Sequence, residues 1–176
     1  MTTPELIEYL NTQLDIRLAK ILADESVTAP QLIDQLIDLS KSNLYPTNWR
    51  AAWVLDHVQQ SHKAMIEPYL PRFLNHLREI KSEGVKRHYI KMLSQGSDDL
   101  LDDGRLVDFC IERLLSQQTP IAVRAHCMEI LRRQTLRYPE LGNELKPILE
   151  EIIENGSKGE KNKASKVLKE IGKLNR

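Results

Sequence analysis

The sequence predicts an all-α fold, a right-handed superhelix (solenoid) of about four helix pairs preceded by an N-terminal helix. Three observations carry that expectation. Helical residues recur at a spacing of 37, as in Ile37, Leu74, Ile111 and Ile148, and this lies in the length range of paired-helix repeats. Within each segment the apolar residues fall at steps of three and four, which places them on one helical face. Strand signals are absent, since no β-branched alternating runs occur and no Asn-Gly turn is flanked by such runs.

Along the chain, Leu6, Leu10, Leu14, Leu18 and Ile21 or Leu22 predict one N-terminal helix, capped by Thr3 and begun by Pro4. A polar break is expected from Asp24 to Ser26. Thr28 with Gln31 resembles a capping box that opens a second helix near Pro30, whose core face holds Ile33, Leu36, Ile37 and Leu39. Turn residues from Ser42 to Asn48 surround Pro46, and Trp49 to His57 resumes the helical pattern through Ala52, Trp53 and Leu55. A second pair is expected from about Pro68 to Ile80 and from about Val85 to Ser94, with Gly84 in the turn. An acidic linker from Gly96 to Gly104 leads to a third pair, marked by Leu106, Val107, Cys110, Ile111 and Leu114 and then by Val123, Cys127, Ile130 and Leu131. The fourth pair uses Leu141, Leu145, Ile148, Leu149 and Ile152, a polar turn from Asn155 to Asn162, and then Ala164, Val167, Leu168 and Ile171. Two further columns accompany the first: Arg50, Arg87, Arg124 and Lys161, and Trp53, Ile90, Cys127 and Ala164, the second of them a core column that places Trp53 in the interior.

Composition bounds the class. Hydrophobic residues make up 41% and charged residues 28% of the 176, values ordinary for a globular chain that fits one domain over residues 1–176. Two Cys without metal or disulfide-framework spacing read as reduced core thiols. The acids in MTTPELIEYLN do not suit a signal peptide and no stretch reaches membrane-spanning length, so a cytoplasmic protein with no membrane contact is expected. The formal net charge is zero from 25 basic and 25 acidic residues, which argues against a dedicated nucleic-acid binder. The ends are opposed, with −5 over residues 1–40 and +5 over residues 157–176. That asymmetry suggests either a monomer or weak head-to-tail self-association.

The repeated pairs resemble HEAT repeats from about residue 30 onward. Trp49-Arg50-Ala51-Ala52-Trp53-Val54-Leu55, and Val123-Arg124 followed by Ile130-Leu131, look like the family's second-helix pattern of an apolar residue and Arg followed by small and apolar positions. Pro30 and Pro68 stand where the family often has a first-helix proline. One feature departs: the Asp that many repeats place six residues before the Arg is replaced by Leu44, Lys81 and Gln118. The resemblance implies a HEAT/armadillo-like, non-enzymatic scaffold or adaptor whose partner is another protein.

No phosphate-cradling glycine loop, nucleophile elbow or paired metal motif is present, so neither catalytic residues nor a cofactor or metal ion are expected. No His lies three or four residues from another, as a helical chelate requires. Asp98, Asp99, Asp102 and Asp103 fail the calcium-loop register, because Cys110 would occupy the place of the bidentate Glu. The expected partner-binding residues are Trp49, Arg50, His57, Arg87, Lys91, Arg124 and Arg132, on the second helices facing the inner surface. The Arg column either lines that surface or satisfies helix ends between repeats. The alternative is a nucleic-acid-binding protein similar to the helical-repeat alkylpurine DNA glycosylases, with Trp53 and Asp56 as the only echo of their site.

Overall fold

The structure, a computed structural model, describes residues 1–12 and 15–174. It divides into two compact units, Met1–Leu93 and Ser94–Arg176. Every regular element among the described residues is helical.

The first unit begins with α1 (Thr3–Asn11) and α2 (Ile16–Thr28). The single N-terminal helix expected from the leucine spacing is therefore two helices, because Asp15 adopts extended backbone and its carboxylate accepts from the Leu18 amide at 2.9 Å. Leu14 lies outside the described residues. Thr2, rather than Thr3, caps α1: its hydroxyl accepts from Glu5 N, and Glu5 returns to the Thr2 amide at 2.6 Å, a full capping box. No break occurs at Asp24 to Ser26. Ser26 is buried and donates to Leu22 O at 2.8 Å, so the helix itself supplies the partner that the serine needs. The Thr28–Gln31 box does not form either, since Thr28 Oγ1 donates backward to Glu25 O.

The next elements are α3 (Gln31–Lys41) and α4 (Thr47–Ser61), which pack together, with α1 and α2 also against α4. The helix expected over residues 68–80 is divided into a 3-10 turn (Glu67–Tyr69) and a shorter helix α6 (Leu70–His76), and a separate single turn α5 (Lys63–Ile66) precedes it. Pro68 and Pro71 explain the division, because each removes an amide that a continuous helix would use. The helix α7 (Glu83–Ser94) takes Gly84 into its first turn instead of leaving it in the connection. A Cβ on Gly84 would lie 3.1 Å from Trp49 Cβ, so the missing side chain lets α7 approach α4 closely.

In the second unit the acidic linker contains a single helical turn, α8 (Asp98–Leu101), capped by Ser97. It is followed by α9 (Gly104–Leu115), α10 (Ile121–Arg137), α11 (Leu141–Asn155) and α12 (Lys158–Leu174), with α10 touching α8, α9, α11 and α12. The polar turn expected to reach Asn162 is only Gly156 and Ser157. Ser157 and Glu160 form a capping box at the start of α12, the serine hydroxyl donating to Glu160 at 2.6 Å.

Burial separates the columns. Leu36, Phe73 and Cys110 are fully buried, as are Ile90, Cys127 and Ala164. Ile37 and Ile148 are buried, but Leu74 and Ile111 are only half-buried. Trp53, expected in the core, is half-buried too. Its position lies on the α4 flank that Trp49 and His57 share, each about one helical turn from it, so the indole continues an aromatic row rather than entering the interior. A fully buried Leu or Phe contributes roughly 1.5–3 kcal/mol, so these columns dominate the stability of each unit.

Candidate functional site

In the first unit the polar chemistry converges on α4. Asp56 is 2% exposed. Its Oδ2 accepts from Lys91 Nζ at 2.8 Å and lies 3.0 Å from His88 Nδ1, both on α7, while Oδ1 accepts from Gln60 Nε2 at 3.1 Å. Helical spacing assembles the group, because Asp56 and Gln60 are four apart on α4 and His88 and Lys91 three apart on α7. Burial pushes the carboxyl upward, but the bonds from His88, Lys91 and Gln60 outweigh it and hold the pKa at about 2. Gln59 adds a further tie, donating to Met92 O at 3.0 Å.

Beside this hub runs the aromatic row of α4. Trp49 and Trp53 have ring centroids 6.2 Å apart, and Trp53 and His57 lie 5.3 Å apart. His57 is 5% exposed and its Nε2 has no hydrogen-bond partner. Desolvation lowers its pKa against the nearby Asp56 charge, so the ring is held neutral at physiological pH.

The second unit repeats the pattern around Glu129. Arg132 Nη2 donates to Glu129 Oε1 at 2.7 Å, Lys163 pairs with Oε2, and Arg132 Nη1 reaches Glu170 on α12 at 3.0 Å. The Arg132 bond is the main cause that holds the Glu129 pKa at about 2. Arg133 ties α10 to the preceding segment, donating to Ser94 O at 3.0 Å and Gly96 O at 2.9 Å and pairing with Asp98.

The Arg column divides by role. Arg50 Nη1 donates to Leu10 O at 2.6 Å and Thr12 O at 2.9 Å, closing the carbonyl end of α1. Lys161 does the same for α11 through Glu154 O at 2.8 Å. Arg124 Nε stands 3.1 Å from Glu160 Oε1, an ion pair without hydrogen-bond alignment, since the Nε–H meets no acceptor geometry. Arg87 alone of the column is exposed and forms no hydrogen bond or ion pair among the described residues. Of the expected contact residues, the fold therefore gathers Trp49, His57 and Lys91 on the facing helices α4 and α7, with Arg87 also on α7. Arg124 and Arg132 stand in separate ion pairs on α10.

Sequence reasoning passed over the two carboxylate hubs. The signal was present: Asp56 and Lys91 are 35 residues apart, Glu129 and Lys163 are 34, and the second pair follows the first by 73 and 72 residues, close to two repeats. A cation one repeat beyond an acid on successive second helices is the pattern that would have found them. Trp53 and Asp56, the echo of a glycosylase site, do not form an open acid: the carboxylate is occupied by three side chains. Among the described residues no three His, Cys, Asp or Glu side chains are grouped to hold a metal ion, and no helix is long and apolar enough to cross a membrane.

Helix pairs tied by polar contacts at one-repeat separation define an α-helical repeat protein. A profile of the HEAT repeat domain matches residues 6–171. The chain belongs to the HEAT-repeat family. No curated protein matches it. Among solved structures it is similar to a designed armadillo repeat protein in complex with the peptide (KR)4, at 14% identity and a TM-score of 0.61, covering 99% of this chain and 89% of that one. It is also similar to an engineered protein at 12% identity and a TM-score of 0.53, covering 98% of both chains. At these identities the likeness is one of fold.

Proposed function

We propose that the chain is a non-enzymatic protein-interaction module, one helical-repeat domain over residues 1–176 acting as a cytoplasmic scaffold or adaptor. The observation that carries this reading is the aromatic row of α4, where two half-exposed indoles stand beside a buried His57 Nε2 that has no partner. Half-exposed Trp with a polar neighbour is the composition of an interface hot spot. The hub beneath holds α4 against α7, so the row is rigid and a partner would have little side-chain entropy to remove. Trp49 and Trp53 would provide the contact area, with the buried His57 ring behind them, and Arg87 an uncommitted charge, while Arg50 and Lys91 hold the helices that present them and Arg124 and Arg132 hold α10 in the other unit. The designed armadillo repeat protein, which shares the fold, is in complex with a peptide. Contact of the acidic residues 1–40 with the lysine-rich residues 157–176 of a second copy would add weak self-association at low salt.

The test is capture of cellular proteins by the immobilised chain at physiological salt, alongside the variant Trp53→Ser with Arg87→Glu. A partner retained by the native chain and released by the variant is the expected result. Equal retention by both would overturn the assignment of this face, and salt-sensitive binding of DNA with no protein partner would favour the nucleic-acid alternative.

A further inference from the structure

A cleft of about 590 Å³ in the second unit lies between the start of α9, the end of α10 and the start of α11. Five carboxylates line it and no Lys, Arg or His does. Two of the acids are committed. Asp102 accepts from Tyr138 Oη at 2.7 Å and pairs with Arg137 at 3.1 Å, while Asp103 caps α9 and holds Arg105 at 2.7 Å. The other three, Asp108, Glu140 and Glu144, are exposed and form no bond among the described residues.

Acids at the first turns of α9 and α11 complement the helix dipoles, which accounts for Asp103 and Glu144 as structural residues. That account does not reach Gln134. Its side chain, on α10, is 2% exposed, lines the same cleft, and carries an Oε1 that accepts from no protein donor. Buried amide oxygens are almost always hydrogen-bonded, so a buried acceptor and three uncommitted carboxylates share one concavity. Val107 and Leu141 supply apolar wall between them.

We infer that this cleft binds an arginine side chain presented by a partner protein. The chemistry matches at each part: the aliphatic stem lies on Val107 and Leu141, the guanidinium is attracted by the carboxylates, and an N–H of its planar fork reaches the Gln134 amide oxygen. An anion is excluded by the lining, and a bare metal ion by the absence of grouped ligands among the described residues. The inference rests on the reading of the chain as a protein-binding module, and assigns to it a second contact remote in sequence from the α4 row.

The experiment is an NMR titration of the full 15N-labelled chain with Nα-acetyl-arginine methylamide, with the citrulline analogue as the uncharged probe of equal shape. Saturable shifts confined to the Gln134 side-chain amide and to backbone amides of residues 104–108 and 141–144 are expected with arginine and not with citrulline. Asp108→Asn with Glu144→Gln should weaken binding by about five-fold while the melting temperature is retained, since exposed charges in this range contribute little to folding. Gln134→Leu should weaken binding as well, with the fold kept because a buried acceptor has been replaced by a carbon chain. Equal response to both probes, or an affinity that neither variant changes, overturns the inference. If arginine fails to bind while partner capture through Trp53 and Arg87 persists, the cleft alone is refuted; loss of that capture with arginine binding intact refutes the α4 face alone.

Discussion

Replacing Asp56 with Asn removes the anion that two cations and an amide share, and the size of the loss follows from its titration. The carboxyl is shifted from its ordinary value of 3.8 to about 2 in the folded chain, a gap that corresponds to about 2 kcal/mol. Because the folded value is depressed, this stabilisation is complete above about pH 4 and disappears as the pH falls from there through about 2. An Asn side chain still accepts one hydrogen bond, and Lys91, with its side chain 28% exposed, turns to solvent. The expected cost of Asp56→Asn at pH 6 is therefore about 2 kcal/mol, below the larger penalty of stranding a fully buried charge.

Urea unfolding followed by tryptophan fluorescence measures this in the right unit, since the only two tryptophans, Trp49 and Trp53, lie on the same helix as Asp56. Glu129, whose depressed titration occupies the same acid range, lies in the other unit. The gap between native and variant stabilities should shrink from about 2 kcal/mol at pH 6 towards zero near pH 2. A loss below about 0.5 kcal/mol at pH 6, the level of an ordinary surface change, or a gap that does not narrow with acid, would refute the coupling of Asp56 to His88 and Lys91.

Two other substitutions probe packing. His57→Leu should leave stability at pH 7 unchanged or slightly higher, because an unpartnered buried nitrogen is removed. It should also flatten the stability profile below about pH 6.5, where the native imidazole, its folded pKa lowered by burial, disfavours the proton that the unfolded chain accepts; chemical denaturation at pH 7 and pH 5 reads both effects. Gly142→Ala places a Cβ 2.8 Å from Ile171 Cγ2 across the α11–α12 contact, and overpacking of this kind costs about 1–3 kcal/mol, measurable as a lowered thermal midpoint.

The helices were legible in the sequence where periodicity alone decides them. α3, α4 and α9 to α12 follow from apolar steps of three and four, and the buried column Leu36, Phe73 and Cys110 follows from the repeat length. The misplaced boundaries share a physical cause, competition between local groups. At Asp15 a side-chain cap stops a helix that the leucines would continue, and at Ser26 a back-bonded hydroxyl lets one run through polar residues. Pro68 and Pro71 break a segment whose hydrophobic spacing is unbroken. Trp53 was misread for a different reason: repeat register identifies equivalent positions, but the exposure of each depends on which helices cover it, and that is tertiary information.

The same distinction explains why the Arg column could not be interpreted from spacing. Without the family's Asp six residues earlier, the cation at each repeat takes whatever acceptor its neighbours leave: helix-end carbonyls for Arg50 and Lys161, Glu160 for Arg124, solvent for Arg87. Polar ties between successive second helices are supplied instead by Asp56 with Lys91 and by Glu129 with Lys163, the two acids lying about one and a half helical turns beyond the Arg position on α4 and α10. Moving the ties to these hubs separates the task of holding helices together from the task of meeting a partner. The consequence is that a charge reversal at Arg87 can alter recognition without loosening α4 from α7, whereas the same change at Lys91 alters both.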